Sequence, residues 1–228
     1  MKHDGSQQGA GWALFISRIG VGGIAWAEQG IVATQLPEAD GAATGRRLLA
    51  VAQRRRPMVY EQVAQVVHWQ SLPGPVLQAV AGMQVLLAGQ QALPMPEAAG
   101  PGLLPDLRER FEGGVAEGLP ALLDLPLDWE GVPELQRRVY ALAQAIPPGQ
   151  VRSYGELARE LGDVGLSRAV GQALGLNPFA PIVPCHRILA AGGRSGGFSA
   201  GGGALTKLRM LELEGAAIGG TPSLFAEG

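Results

Sequence analysis

Three short runs of apolar, β-branched and aromatic residues open the chain, at Trp12–Ile16, Gly22–Ala27 and Ile31–Gln35. Glycine-containing breaks of turn length separate them, which predicts a small antiparallel sheet. The pattern then shifts to a helical period. Gly45–Arg54 and Tyr60–Trp69 read as helices, the second with Val63, Val66 and Val67 as its apolar positions, and another helix is expected from Pro73 through Leu87. Between Gln90 and Pro105 four prolines break any period and mark a loop or boundary. A short helix is expected over Asp106–Gly113.

The character changes at Leu125-Pro126-Leu127-Asp128-Trp129. A helix with Leu135, Val139 and Leu142 on one face runs from Val132-Pro133 to about Ile146, where Pro147-Pro148-Gly149 stops it. Ser153-Tyr154-Gly155-Glu156 has the Ser-x-x-Glu form of a capping box and opens a short helix through Leu161. Gly162–Gly165 is a turn, and Ser167–Leu174 a second short helix whose Ala169, Gly171 and Ala173 let its backbone approach a partner closely. Arg168 and Gln172 sit four apart on one face of it. Two short helices across such a turn are consistent with a helix-turn-helix. The expected fold class is thus an α/β N-terminal domain, a small mainly antiparallel sheet plus helices, over residues 1–123. A mainly α-helical domain with the helix-turn-helix follows over 124–217, and 218–228 form a poorly ordered tail.

Composition adds limits to this picture. Of 228 residues, 46% are hydrophobic and 17% charged, the balance of a globular protein rather than a disordered chain. No run approaches the roughly 18 apolar residues of a membrane span, and Met1–Trp12 lacks the form of a secretory signal. A cytoplasmic address, a monomer and no membrane contact are expected. The net charge of −2 does not announce a nucleic-acid binder, but residues 151–210 hold seven Arg or Lys against three Asp or Glu. A basic segment inside an acidic chain suits either a phosphate-contacting face or an ordinary solvated surface.

Cys185 is the only cysteine, so an internal disulfide and a cysteine-rich zinc site are excluded. His3, His68 and His186 lie far apart, and no metal or cofactor is expected. A lone thiol is more often a small buried hydrophobe than a reagent, so its neighbours decide. Here they are Asn177-Pro178-Phe179-Ala180-Pro181-Ile182-Val183-Pro184-Cys185-His186-Arg187. Three prolines fix the approach to the thiol. A nucleophilic thiol needs positive charge or a base nearby, and His186 and Arg187 could supply both if their side chains reach it.

With Pro184-Cys185-His186-Arg187 preceded by Asn177-Pro178, the chain resembles the O6-alkylguanine-DNA alkyltransferase family. The likeness extends over about ninety residues, from Pro126 to Glu214-Gly215, through Ser153-Tyr154, Arg168-Ala169-Val170-Gly171 and Gly197-Phe198-Ser199. It implies that Cys185 attacks the alkyl carbon, that His186 acts through water as its base, and that Glu214 orients that histidine. It further implies that Asn177 braces the turn before the thiol, Tyr154 protonates the departing guanine, and Ser199 bonds its O6. Arg168 would fill the space of a flipped-out nucleotide. Phe198, where many members have Tyr, would wall the pocket; Ser153, Gln172 and Arg187 complete the substrate- and DNA-contacting set. The implied partner is double-stranded DNA with alkylated guanine, O4-alkylthymine being a further candidate lesion, and the implied reaction consumes the protein.

The competing readings are weaker. A cysteine hydrolase would need His3 or His68 at the thiol, and no local signature of such enzymes surrounds Cys185. A helix-turn-helix transcription factor finds no second DNA-binding module. A non-enzymatic lesion binder that flips damaged bases is the better alternative, but its relatives carry another residue in place of the cysteine.

Overall fold

The computed structural model describes residues 9–88, 102–107, 122–193 and 201–216. The expected helix over 106–113 lies mostly outside these ranges, as do Phe198, Ser199 and the tail.

The three apolar runs form strands β1 (Gly11–Ser17), β2 (Gly20–Ala27) and β3 (Gly30–Gln35), joined as antiparallel neighbours by tight turns. Helix α1 (Gly41–Arg55) starts earlier than expected, because the Asp40 side chain accepts from Ala43 N–H and caps it. It packs on β2 and β3, and α2 (Gly74–Ala88) follows. A two-residue strand β4 (Leu103–Leu104) pairs parallel with β1, giving the order β3-β2-β1-β4.

Tyr60–Trp69 is not the helix its spacing suggests. Gln65 bridges Trp12 and Val66 N–H donates to the Trp12 carbonyl at 2.8 Å, so the middle of the segment lies alongside β1, between a turn at its start and the 3-10 turn that begins at Trp69. Its three valines suit that backbone better than a helix.

The second half holds α3 (Glu134–Gln144), the short β5 (Arg152–Ser153), α4 (Tyr154–Glu160), α5 (Ser167–Gly175), β6 (Ile188–Leu189) and α6 (Ala204–Leu213). The capping box is formed: Ser153 accepts from Glu156 N–H and the Glu156 carboxylate accepts from Ser153 N–H. α4 and α5 pack on each other across the expected turn.

The outer edge of β3 is covered by the second half. Ile31 N–H donates to Pro126 O at 2.7 Å, Asp128 N–H to Ile31 O at 2.8 Å, and Thr34 N–H to Pro178 O at 2.8 Å. These bonds satisfy an edge that would otherwise stay open. They also need close approach: a Cβ at Gly30, whose φ is +129°, would collide with the Pro126 carbonyl. Arg56 clasps Asp128 through both carboxylate oxygens at 2.6 and 2.8 Å. One apolar cluster runs from Phe15, Ile24 and Trp26 to Val139, Tyr140 and Phe179. Among the described residues no helix is long and apolar enough to cross a membrane.

Candidate active site around Cys185

The segment leading to the thiol is held from both sides. Asn177 donates from Nδ2 to Val183 O at 2.8 Å and accepts Phe179 N–H at 2.9 Å, so one amide ties both ends of the turn. From the sheet, Thr34 Oγ1 donates to Ala180 O at 2.8 Å. Phe179 is fully buried, edge-on to Trp129 at 5.3 Å, with the Arg55 guanidinium 5.1 Å from its ring centroid. Cys185 therefore starts the 3-10 turn Cys185–Arg187 at a fixed place. It is 8% exposed and borders a cavity of about 290 Å³.

The side chains of His186 and Arg187 reach Glu214, at the C-terminal end of α6. Glu214 Oε1 accepts from His186 Nε2 at 2.8 Å, and its two oxygens accept Arg187 Nη2 at 2.8 Å and Nε at 3.0 Å. Arg187 Nη1 donates to Ile146 O at 2.6 Å. All three side chains are buried. Burial alone would raise the Glu214 carboxyl, but the hydrogen bond of His186 and the bonds and charge of Arg187 prevail and hold it at about 2. Burial pulls the His186 imidazole below its usual value, against the opposing pull of Glu214. The pair is thus a carboxylate and a neutral imidazole. With Nε2–H given to Glu214, the imidazole lone pair sits on Nδ1. Nδ1 is buried and has no hydrogen-bond partner among the described residues, so it is the nitrogen able to take a proton.

Two expectations are corrected by this geometry. Arg187 is not a DNA-contacting residue: it is 5% exposed and its guanidinium is committed to Glu214 and Ile146. Nor do the side-chain charges of the adjacent His-Arg pair set the thiol; from that pair it is the His186 backbone N–H that favours the charged form. Burial pushes Cys185 above the ordinary cysteine value, and the Asn177 side-chain bond and the charge of Lys207 only partly offset it. The resting thiol is neutral and becomes a nucleophile only when its proton is removed.

Lys207 is the residue that sequence reasoning missed. Its side chain is fully buried, Nζ donates to Ile188 O at 2.5 Å, and it lies 5.7 Å from the Tyr154 ring centroid. Burial lowers it to about 8, with the nearby Cys185 pulling the other way. A signal was there to find: Lys207, Met210, Leu211 and Glu214 stand at i, i+3, i+4 and i+7, the spacing of one helix face, and all four are buried. A lysine on such a face is a charge facing inward.

Tyr154 begins α4, half-buried; burial first, then the neighbouring Cys185, raises its phenol, which therefore keeps its proton. Ser153 is the α4 cap, its hydroxyl bonded to Glu156 at 2.7 Å. Arg168 and Gln172 are exposed on α5, and Gly171 faces the Tyr154 ring, where an added Cβ would stand in ordinary contact 3.9 Å away. No cluster of three or more potential metal-ligating residues occurs among the described residues.

Residues 134–216 match the family described as "6-O-methylguanine DNA methyltransferase, DNA binding domain". A methylated-DNA–protein-cysteine methyltransferase of Mycolicibacterium paratuberculosis is 44% identical over 113 residues, 50% of this chain and 64% of that protein. The chain therefore spans less than two thirds of that relative. A protein of Thermus thermophilus named DNA base-flipping protein is 45% identical over 122 residues, covering 53% of this chain and 79% of its own length. The crystal structure of O6-methylguanine methyltransferase from Mycobacterium tuberculosis superposes with a TM-score of 0.55 at 28% identity, covering 90% of this chain and 93% of that one.

Proposed function

The chain belongs to the O6-alkylguanine-DNA alkyltransferase family, and on that premise we propose that it repairs DNA by moving the alkyl group of an O6-alkylguanine irreversibly onto Cys185. The observation that carries this reading is the buried His186–Glu214–Arg187 network that directly follows a thiol bordering a cavity. A neutral thiol at a cavity precedes a neutral imidazole whose free lone pair is on Nδ1, and a carboxylate fixed by Arg187 holds that imidazole in this tautomer. It is the Cys–His–carboxylate logic of an activated nucleophile.

In the reaction the Sγ–H proton passes to His186 Nδ1 through water. Sγ forms a bond to the alkyl carbon while the alkyl–O6 bond breaks. The electron pair left on the base is neutralised by the Tyr154 phenol proton, and the products are guanine and S-alkylcysteine. Glu214 stabilises the imidazolium once it forms. Lys207, beside both Tyr154 and Cys185, favours the thiolate and the phenolate that these steps create. A thioether does not readily give the group back, so each molecule acts once. No cofactor is needed, because DNA supplies the group and the protein accepts it.

DNA is held by α5, whose exposed Arg168 takes the space of the extruded nucleotide while Gln172 lies on the same face. Ser199 and Phe198 are assigned to the pocket by resemblance alone, as O6 donor and apolar wall. Residues 1–123 act as a support domain, through the β3 edge that pins Pro178 and Ala180. The site of action is the DNA-containing cytoplasm.

The Thermus relative's name favours one alternative, a protein that flips and flags the lesion without removing it. Incubation with a duplex bearing a single O6-methylguanine, followed by nucleoside analysis, separates the two. Repair is expected to restore guanine mole for mole with protein. Full retention of O6-methylguanine in tightly bound DNA would establish the flagging role instead.

A further inference from the structure

Phe179 stands inside the turn that delivers the thiol, and two hydrogen bonds in series connect it to Cys185. Its carbonyl accepts Val183 N–H at 2.9 Å, and the Val183 carbonyl accepts Cys185 N–H at 2.9 Å. Whatever fixes Phe179 therefore bears on where Sγ stands. Its ring is edge-on to Trp129 at 5.3 Å and to Tyr140 at 6.5 Å. The Tyr140 hydroxyl donates in turn to Ala173 O of α5 at 2.8 Å, so one aromatic cluster touches both the thiol turn and the helix assigned to DNA.

On this cluster lies a charge from the other half of the chain. Arg55, the last residue of α1, is half-buried, with its guanidinium over the Phe179 ring at 5.1 Å from the centroid. Its Nη2 donates to the carbonyls of Asp128 and, at 3.4 Å, Glu130, which flank Trp129. Its Nε is buried and finds no acceptor among the described residues. The next residue differs: Arg56 is paired with the Asp128 carboxylate at 2.6 Å. Drawing a guanidinium out of water with one donor unmet is unfavourable, and an apolar side chain of the same length would fill the space without that penalty.

Resting on the alkyltransferase reading, we propose that Arg55 is a positioning residue for the transfer step, its charge over Phe179 holding the 177–183 turn, and through it Cys185, in the attacking place. A cation is drawn to the face of an aromatic ring, more strongly where water is excluded. Asn177 ties the turn from within and Thr34 ties Ala180 O from the sheet. The ring under Arg55 is a third point of attachment. Arg55 thus acts through Phe179 and not on the reacting atoms.

The test is single-turnover transfer from a duplex bearing one O6-methylguanine, measured well below each protein's melting temperature so that a loss of stability alone leaves the rate unchanged. The full chain is compared with Arg55→Met, Arg55→Lys and Arg46→Met. Arg46 is exposed and lies roughly 14 Å earlier along α1, so its loss repeats the charge change away from the ring. Arg55→Met is expected to slow saturated transfer by about 10- to 100-fold, the scale of a misplaced reacting atom, with half-saturation by DNA within about two-fold of the parent. Arg55→Lys keeps a cation at the ring and should recover most of the rate, and Arg46→Met should match the parent. In a Phe179→Leu background, adding Arg55→Met should cost little more, because the two act as one unit.

A parent rate in Arg55→Met overturns the proposal. So does a rise in half-saturation alone, which would make Arg55 a DNA contact. Arg55→Lys as slow as Arg55→Met would place the effect in the carbonyl bonds and reject the charge, as would fully additive losses at Arg55 and Phe179. Iodoacetamide labelling of Cys185 supplies an arm that needs no alkyl transfer. A loosened turn opens the buried thiol, so Arg55→Met should be labelled several-fold faster than the parent, opposite in direction to its loss of transfer. A parent that moves no alkyl group rejects the alkyltransferase reading, whereas unchanged labelling in Arg55→Met rejects the hold of Arg55 on the turn.

Discussion

Cys185→Ser is expected to lower alkyl transfer from O6-methylguanine DNA by roughly 10⁴-fold or more, the scale on which removal of a nucleophile acts in other covalent catalysts. A hydroxyl is a far weaker nucleophile than a thiol, and a single neutral imidazole does not close the gap. The fold should survive, because serine is nearly the same size and Asn177 keeps both of its backbone bonds to the turn. Duplex affinity should stay within a few-fold of the parent, since the proposed DNA contacts belong to exposed residues of α5. Rate and affinity are read separately, by single-turnover transfer and by anisotropy with labelled duplex. A variant that still moved the alkyl group at a comparable rate would show that another residue is the acceptor.

Loss of the Glu214 carboxylate has the second large effect. Glu214→Ala leaves the buried Arg187 guanidinium without its counter-ion, a change that costs about 3–5 kcal/mol when a buried pair is broken on one side. It also frees the His186 ring and its tautomer, so transfer should fall by roughly 10²–10⁴-fold, the usual share of a positioned base. The milder Glu214→Gln exposes the electrostatics. In the folded protein Glu214 is held at about 2, below the 4.5 of a free glutamate. The unfolded chain therefore takes up the proton first. This contribution is fully present above pH 4.5 and is lost as pH falls through 2, about 3 kcal/mol in all. His186 acts in the same direction at higher pH. Its folded basicity lies below the usual 6.5, so stability begins to fall as pH drops below that value. The parent should thus lose stability in two stages on acidification, and Glu214→Gln should lack the lower one. Parallel stability–pH curves for the two proteins would remove Glu214 from the network.

Much of the fold was legible along the chain because its elements carry strong local signals. β1 to β3 are apolar runs cut by glycine turns, α3 has a clean apolar face with a Pro-Pro-Gly stop, and α4 announces itself by its capping box. Tyr60–Trp69 failed because Val63, Val66 and Val67 suit a helical spacing and an extended strand alike. The bonds to Trp12 that decide between them come from about fifty residues away. β4 escaped because two residues among prolines carry no period.

At the site, the expectations for Cys185, His186, Glu214 and Asn177 come from an ordered set of motifs, and in the structure Asn177 bonds both ends of its turn. The direction of side chains was not legible. Adjacency suggests that His186 and Arg187 charge the thiol, whereas the 3-10 turn carries both to Glu214 and leaves burial to set the state of Cys185. Lys207 joins the site only because α6 folds back against Ile188. The contact of Arg55 with Phe179 depends on how the two halves pack, which no local pattern encodes.

The most direct measurement is the mass of the protein after incubation with excess duplex containing O6-methylguanine. A single addition of about 14 Da is expected, confined to the peptide that contains Cys185 and complete at one equivalent of lesion. Repair continuing well past one equivalent, or a methyl group found on any other residue, would contradict transfer to Cys185.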